Sequence, residues 1–361
     1  MNSVKPILIS KPKQPISKLL KTFFIIIHIV YGHDYGFVKY KSTRHKFIIK
    51  LSTAVFSASL ATVLLILISK ETEELQNVIW FSSYVFMNYA YIIMLLIIPE
   101  RNTFYILQEH LRSIDSEINA DTSSYFLDLK ILLLLIITIA DKIITTIVYC
   151  WFFGPCINNI FTQILFMIPC SSLDMPIIVY YFLFHATYMR LITMRKFIND
   201  RKFKPKQMQI IYKSLHDTVE NIKNAFDPLI IFTLLTSVPN IMIIIYIAIK
   251  DTKEGKKNVS AFINEAMIAS LIMAKIFAPA IGASSLSTEV AKIKVVLHDM
   301  LLLEEDETKI QDIKRFISYI EARPFKFRVL KVIHLDATFP VAVLNLCVTY
   351  LIVILQLTHI Y

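Results

Sequence analysis

The stretch Thr338–Leu357, TFPVAVLNLCVTYLIVILQL, is aliphatic along most of its length but carries Thr338, Asn345, Thr349, Tyr350 and Gln356 at intervals. At ~1.5 Å of rise per residue such a helix crosses a hydrocarbon core of ~30 Å. An amide or hydroxyl surrounded by hydrocarbon is costly unless it meets a partner or water. With Asn345 at zero on an ideal helical wheel, Thr338 falls at ~+20°, Thr349 at ~+40°, Ile352 at ~−20° and Gln356 at ~+20°. The non-aromatic polar groups therefore form one stripe, which either hydrogen-bonds to another helix or lines water. Tyr350, ~140° from Asn345, is expected to pack back into the bundle by its ring. Pro340 suits a first helical turn, so the helix should begin afresh after the sequence HLDATF.

Outward from this segment, the rest of the chain has the same character. Of its 361 residues, 55% are hydrophobic and 18% charged, with a mean hydropathy of +0.57. That is too apolar for a water-soluble domain of this size. Seven stretches are long enough to cross a membrane: Phe47–Ser69, Val78–Ile98, Leu129–Phe153, Ile157–Phe184, Leu229–Ile249, Phe262–Ala283 and Thr338–Leu357. The expected fold is all-α, a seven-transmembrane helical bundle. With only 5 glycines and neither GxGxxG nor GxxxxGK[ST], no phosphate cradle and no nucleotide-driven transport is expected. The net charge of +10 comes from bases beside the spans, where they report topology and anionic lipid rather than nucleic acid.

The basic residues orient the chain. With the N-terminus inside, 29 of the 38 Lys and Arg lie on cytoplasmic segments and 5 on outer ones. The sequon Asn258-Val259-Ser260 then falls on the outer side, making Asn258 a candidate glycosylation site. A G-protein-coupled receptor has the opposite orientation, and no DRY-like or NPxxY-like signature is present.

Outer connections are short and inner ones long. The last inner loop alternates apolar and charged positions near helical spacing and carries 9 basic and 9 acidic residues, as expected of amphipathic helices packed in a cytoplasmic layer or of a solvated loop. The domain reading is a cytoplasmic arm with an interfacial helix over 1–46, six spans with a ligand pocket over 47–283, cytoplasmic anchor helices over 284–337, and a seventh helix with a short outer tail over 338–361. The arm resembles a signal peptide only superficially, lacking a small-residue cleavage pattern.

Candidate ligand-binding residues lie in the second span, where Trp80, Tyr84, Asn88 and Tyr91 share a face that suits stacking and a few hydrogen bonds. Trp80 fits an interfacial aromatic belt, and Tyr84, Asn88 and Tyr91 fit either that belt or, lying deeper, a ligand pocket. Asp174, bracketed by Pro169 and Pro176, belongs either to an outer vestibule or to a turn. Asp141 and Lys275, both within spans, are expected to pair. The cysteines show no metal spacing; Cys150 and Cys156 flank a short turn and either pair or, as the usual behaviour of membrane cysteine favours, stay free thiols. His28 and His33 make one isolated HxxxxH, so no metal and no cofactor is expected. No nucleophile, acid–base pair or metal set points to an enzyme.

The ending TYLIVILQL resembles the Thr-Tyr, five apolar residues, Gln-Phe signature that closes insect gustatory receptors, with Leu357 in place of Phe. The inverted seven-span plan and the lead-in FKFRVLKVIHLDATF are similar to that family as well. The resemblance implies a homo- or hetero-tetrameric, ligand-gated cation channel in the plasma membrane of sensory neurons. Its seventh helices would surround a pore and its cytoplasmic loops form an anchor. Thr349, Tyr350 and Gln356 match the motif, and with the wheel they give a pore-lining set of Asn345, Thr349, Ile352, Val353 and Gln356. Ile352 or Val353 would be a hydrophobic gate. The implied partners are membrane lipid, a small tastant, foremost a bitter plant compound, and the permeant ions, monovalent cations and Ca²⁺. A sugar-gated or odorant receptor is the alternative of the same class, and a secondary transporter that of another; the transporter predicts an internal repeat, which the sequence lacks.

Overall fold

The computed structural model describes residues 43–71, 175–200, 204–253, 259–329 and 333–357, with isolated helical positions between 86 and 143. These residues form six long helices and one small hairpin: α1 Thr43–Glu71, α2 Met175–Asn199, α3 Pro205–Lys253, α4 Val259–Leu303, α5 Glu307–Ala322, β1 Arg328–Val329, β2 Ile333–His334 and α6 Phe339–Leu357.

The chemistry of α1 is inside out relative to a soluble protein. Thr53 and Ser57 are buried, whereas Phe47, Leu51, Val55, Phe56 and Ile66 are each about half exposed or more. In water that pattern would leave a large apolar patch with no reason to exist; against lipid it costs nothing. Ser59 and Thr62 return their hydroxyls to the carbonyls of Val55 and Ala58, so these groups too are satisfied within the helix.

Length explains the architecture of α3 and α4. At 49 residues α3 reaches ~74 Å, more than twice a ~30 Å hydrocarbon core. Helix α4, with 45 residues, is nearly as long. The expected inner loop over 185–228 is therefore largely the continuation of α2 and the start of α3, and α4 runs unbroken across position 283. The parts of α3 and α4 beyond that length pack with α2 and α5 into one layer.

Asp306 starts α5 by accepting from the Thr308 amide, and the hydrogen bonds to Thr308 hold its carboxyl below the usual carboxylate range. Ile313, Phe316, Ile317 and Ile320 lie on one side of this helix and are buried on α3 and α4. Amphipathic spacing in the last inner loop thus corresponds to packed helix, not to a solvated loop. The main core of the described residues sits in this layer: Leu191, Met194 and Ile198 of α2, Ile211, Tyr212 and Leu215 of α3, and Leu286, Ile293 and Leu297 of α4 all meet there.

The segment Phe325–Leu335 departs from the helical expectation. Phe325, Phe327 and Val329 are buried while Lys326 and Arg328 are exposed, a period of two that belongs to a strand. Val329 pairs with Ile333 and Arg328 with His334, and the Leu335 amide donates to the Phe327 carbonyl at 2.9 Å. Aromatic packing fixes this hairpin to the anchor: Phe327 lies 4.8 Å from Phe184 of α2, and Phe325 lies 5.4 Å from Tyr212 of α3. The Tyr212 hydroxyl donates to the Arg323 carbonyl at 2.9 Å, and burial pushes its phenol well above the ordinary range.

Candidate functional site

Helix α6 leaves the hairpin through a tight turn. The Asp336 carboxylate accepts from the Thr338 amide at 2.9 Å and the Thr338 hydroxyl at 2.5 Å, and the Thr338 carbonyl takes the first helical bond from Ala342 at 3.0 Å. Pro340 stands in the first turn, where no amide hydrogen is needed, so the helix starts where the sequence led us to expect.

Among the described residues, those that bury α6 do so along a narrow seam. Val343 and Cys347 are buried among Ile241 and Ile244 of α3 and Ile272 and Ile276 of α4, a cluster separate from the anchor core. Phe339 and Leu234 pack against both clusters and join them. The seam lies on the far side of the helix from the polar stripe. Asn345, Thr349, Ile352, Val353 and Gln356 are all exposed on the single chain, and they share that outward side.

The stripe's polar groups differ in how they are satisfied. Thr349 donates its hydroxyl to the Asn345 carbonyl at 2.8 Å, and Thr338 is taken by Asp336, so neither hydroxyl needs an outside partner. The amides of Asn345 and Gln356 have no hydrogen-bond partner among the described residues. The two amides are therefore the groups of this helix that require a neighbour or water.

Tyr350 differs from expectation. It is 52% exposed on the single chain, so the described residues do not bury its ring. On the wheel Tyr350 lies within ~20° of Val343, on the seam's side, but it stands two turns further along α6 and is not part of the cluster that buries Val343 and Cys347. Other expected site residues lie outside the described residues: Tyr84, Asn88, Tyr91, Asp174 and Asn258. So do Trp80, Asp141, the side chain of Lys275, and Cys150 and Cys156.

Buried charge in the anchor went unforeseen. Arg190 of α2 and Asp115, which follows the second predicted span, are 1% and 3% exposed, and their side chains meet at 2.7 Å. Burial raises the Asp115 carboxyl above its ordinary value, opposed by Arg190. Glu289 of α4, equally buried, is held by Arg195 of α2 at 2.5 Å and by Lys292 at 3.4 Å. Glu289 was visible in principle as an acid among the apolar positions Leu286, Val290 and Ile293; Asp115 and Arg190 are too far apart in sequence for any local pattern to link them.

A family model of the 7tm chemosensory receptor matches residues 20–358. The chain belongs to the 7tm chemosensory receptor family. The structure of this receptor is similar to that of the insect olfactory receptor OR5 from Machilis hrabei, with a TM-score of 0.62 at 12% identity, covering 94% of this chain and 99% of that one. The chemosensory receptor is thus a membrane protein with the seven-transmembrane helical fold expected from its hydropathy. No curated protein is significantly similar to it in sequence. Within this fold the exposed stripe of α6 is the receptor's candidate functional surface.

Proposed function

We propose that the protein is a gustatory receptor that acts as a ligand-gated, weakly selective cation channel in the plasma membrane of sensory neurons. The observation that carries this reading is the direction of the α6 stripe: Asn345, Thr349, Ile352, Val353 and Gln356 face away from the subunit's own core. A polar stripe turned outward from an apolar helix is explained when several copies bring their stripes together around water. In a homo- or hetero-tetramer, amides from Asn345 and Gln356 would offer dipoles rather than fixed charge, which suits Na⁺, K⁺ and Ca²⁺ with little discrimination. Ile352 or Val353 supplies a hydrophobic constriction that opens by hydration.

The ligand is a small tastant, foremost a bitter plant compound, taken up by a pocket to which Tyr84, Asn88, Tyr91 and Asp174 contribute. Asn258 is the outer glycan acceptor. A second reading, an odorant-gated channel, is favoured by the likeness to an olfactory receptor; the Thr349-Tyr350…Gln356 ending favours taste.

The test is to express the chain alone in a heterologous cell and record excised patches under sugars, plant alkaloids and volatile odorants. Ligand-evoked unitary cation currents without added nucleotide are expected, and the ligand class that evokes them separates taste from smell. Substrate uptake without unitary currents, at confirmed surface expression, would establish a transporter instead.

A further inference from the structure

The far end of α4 carries an apolar surface that no described residue covers. Leu302 is 84% and Leu303 65% exposed, and Val295, on the same side two turns earlier, is 58% exposed. Exposed leucines at a helix end are expected where lipid bathes them. These stand ~30 Å beyond Ala283, the predicted membrane edge of this helix, at ~1.5 Å per residue, and so face water.

Acid surrounds them. Residues 295–308 hold Asp299, Glu304, Glu305, Asp306 and Glu307 and no Lys or Arg, and Glu304–Glu307 is the longest acidic run in the chain. Lys309 lies 3.4 Å from Glu304 and 3.9 Å from Asp306; Glu305 and Glu307 have no basic partner among the described residues. The surface is an apolar spot with an acidic rim on a protein whose net charge is +10.

The chain supplies one segment of complementary chemistry. Residues 1–18 contain Lys5, Lys11, Lys13 and Lys18, no acid, and the apolar run Ile7-Leu8-Ile9. They precede residue 20, where the match to the family model begins. They also start on the cytoplasmic side, as the tip does. Between Leu8 and Thr43 the chain extends up to ~115 Å, which is ample to reach the tip.

We propose that residues 1–18 dock on the acid-rimmed tip of the anchor in the same chain, Ile7-Leu8-Ile9 covering Leu302 and Leu303 while Lys11 and Lys13 meet Glu305 and Glu307. The competing destination for a basic segment is the anionic inner leaflet. The leaflet offers charge and apolar depth as well, but it leaves the leucines exposed and Glu305 and Glu307 without a basic partner among the described residues; docking resolves both. This inference rests on the cytoplasmic placement of the two segments and not on channel activity.

The test places a photoreactive benzoylphenylalanine at Leu8 of the full chain, reconstituted in nanodiscs of phosphatidylcholine and phosphatidylserine, and reads adducts by mass spectrometry. An adduct to the peptide containing 295–308 is expected. It should be lost with Glu305→Lys plus Glu307→Lys and regained when Lys11→Glu and Lys13→Glu are added. Should the tip variant fail to fold, the Lys11→Glu, Lys13→Glu chain on its own must lose the adduct. Adducts to lipid, to another peptide, or between isotopically labelled and unlabelled chains would overturn the proposal, as would an adduct indifferent to charge reversal.

Discussion

Thr349 spends its hydroxyl on the carbonyl of Asn345, 2.8 Å away on its own helix, while the Asn345 and Gln356 amides beside it have no partner among the described residues. Two neighbours on one stripe therefore present different chemistry to whatever faces them. Thr349→Val keeps the shape and removes only an internally satisfied hydroxyl, so permeability ratios should stay as they are. Gln356→Ala removes an unpartnered amide and should shift them without loss of surface expression. Reversal potentials under bi-ionic conditions decide the matter, and an unchanged ratio for Gln356→Ala would remove that residue from the pore.

Gly282 of α4 lies against Phe184 of α2. A methyl group added there would stand 2.8 Å from the ring carbon Cδ2 and 3.2 Å from Cβ. In an ordinary helix, Gly→Ala stabilises by about 1 kcal/mol. Here the ring is itself held against Phe327, so overpacking should reverse the sign and cost about 1–3 kcal/mol. Thermal unfolding in detergent measures the effect, and Phe184→Leu in the same chain should recover much of it.

The legible parts of this protein were those that a local pattern encodes. Hydropathy marked α6, Pro340 marked its start, and the wheel foretold that Asn345, Thr349 and Gln356 would share a side. The wheel puts Tyr350 on the side of Val343 and Cys347, yet the residue stays half exposed, because how far along α6 the buried seam extends is a property of Ile241, Ile244, Ile272 and Ile276, not of α6. The hairpin was written openly as Phe325, Phe327, Val329 against Lys326, Arg328, yet in a run of amphipathic helices a five-residue alternation is easily absorbed into helical spacing. Buried partners such as Asp115 and Arg190 are fixed by tertiary packing and leave no local trace.

Asp336 links acidity to the start of α6. Hydrogen bonds from the Thr338 hydroxyl, and next from its amide, hold the Asp336 carboxyl below its ordinary 3.8. A depressed folded-state value means that the charged form is favoured by folding. The contribution is complete above the ordinary value and is lost as pH falls through the depressed one. Amide protection at Phe339 and Ala342, corrected for intrinsic exchange, should therefore decline only below about pH 4. Asp336→Asn, which keeps an acceptor but no charge, should abolish that pH dependence.

Arg190 and Asp115 test why a charge pair is buried in the anchor at all. Removing one member strands the other in an apolar site, so Arg190→Met alone should cost about 3–5 kcal/mol. Replacing both, Arg190→Met with Asp115→Leu, removes two desolvation costs together and should be close to neutral or even stabilising. If the double variant is stable yet its ligand response is lost, the pair serves to register the segment carrying Asp115 on α2 rather than to hold the fold. If it responds normally, the pair is replaceable packing. Thermal unfolding and ligand-evoked current on the same preparations separate these outcomes, since a merely structural role moves the first measurement and leaves the second unchanged.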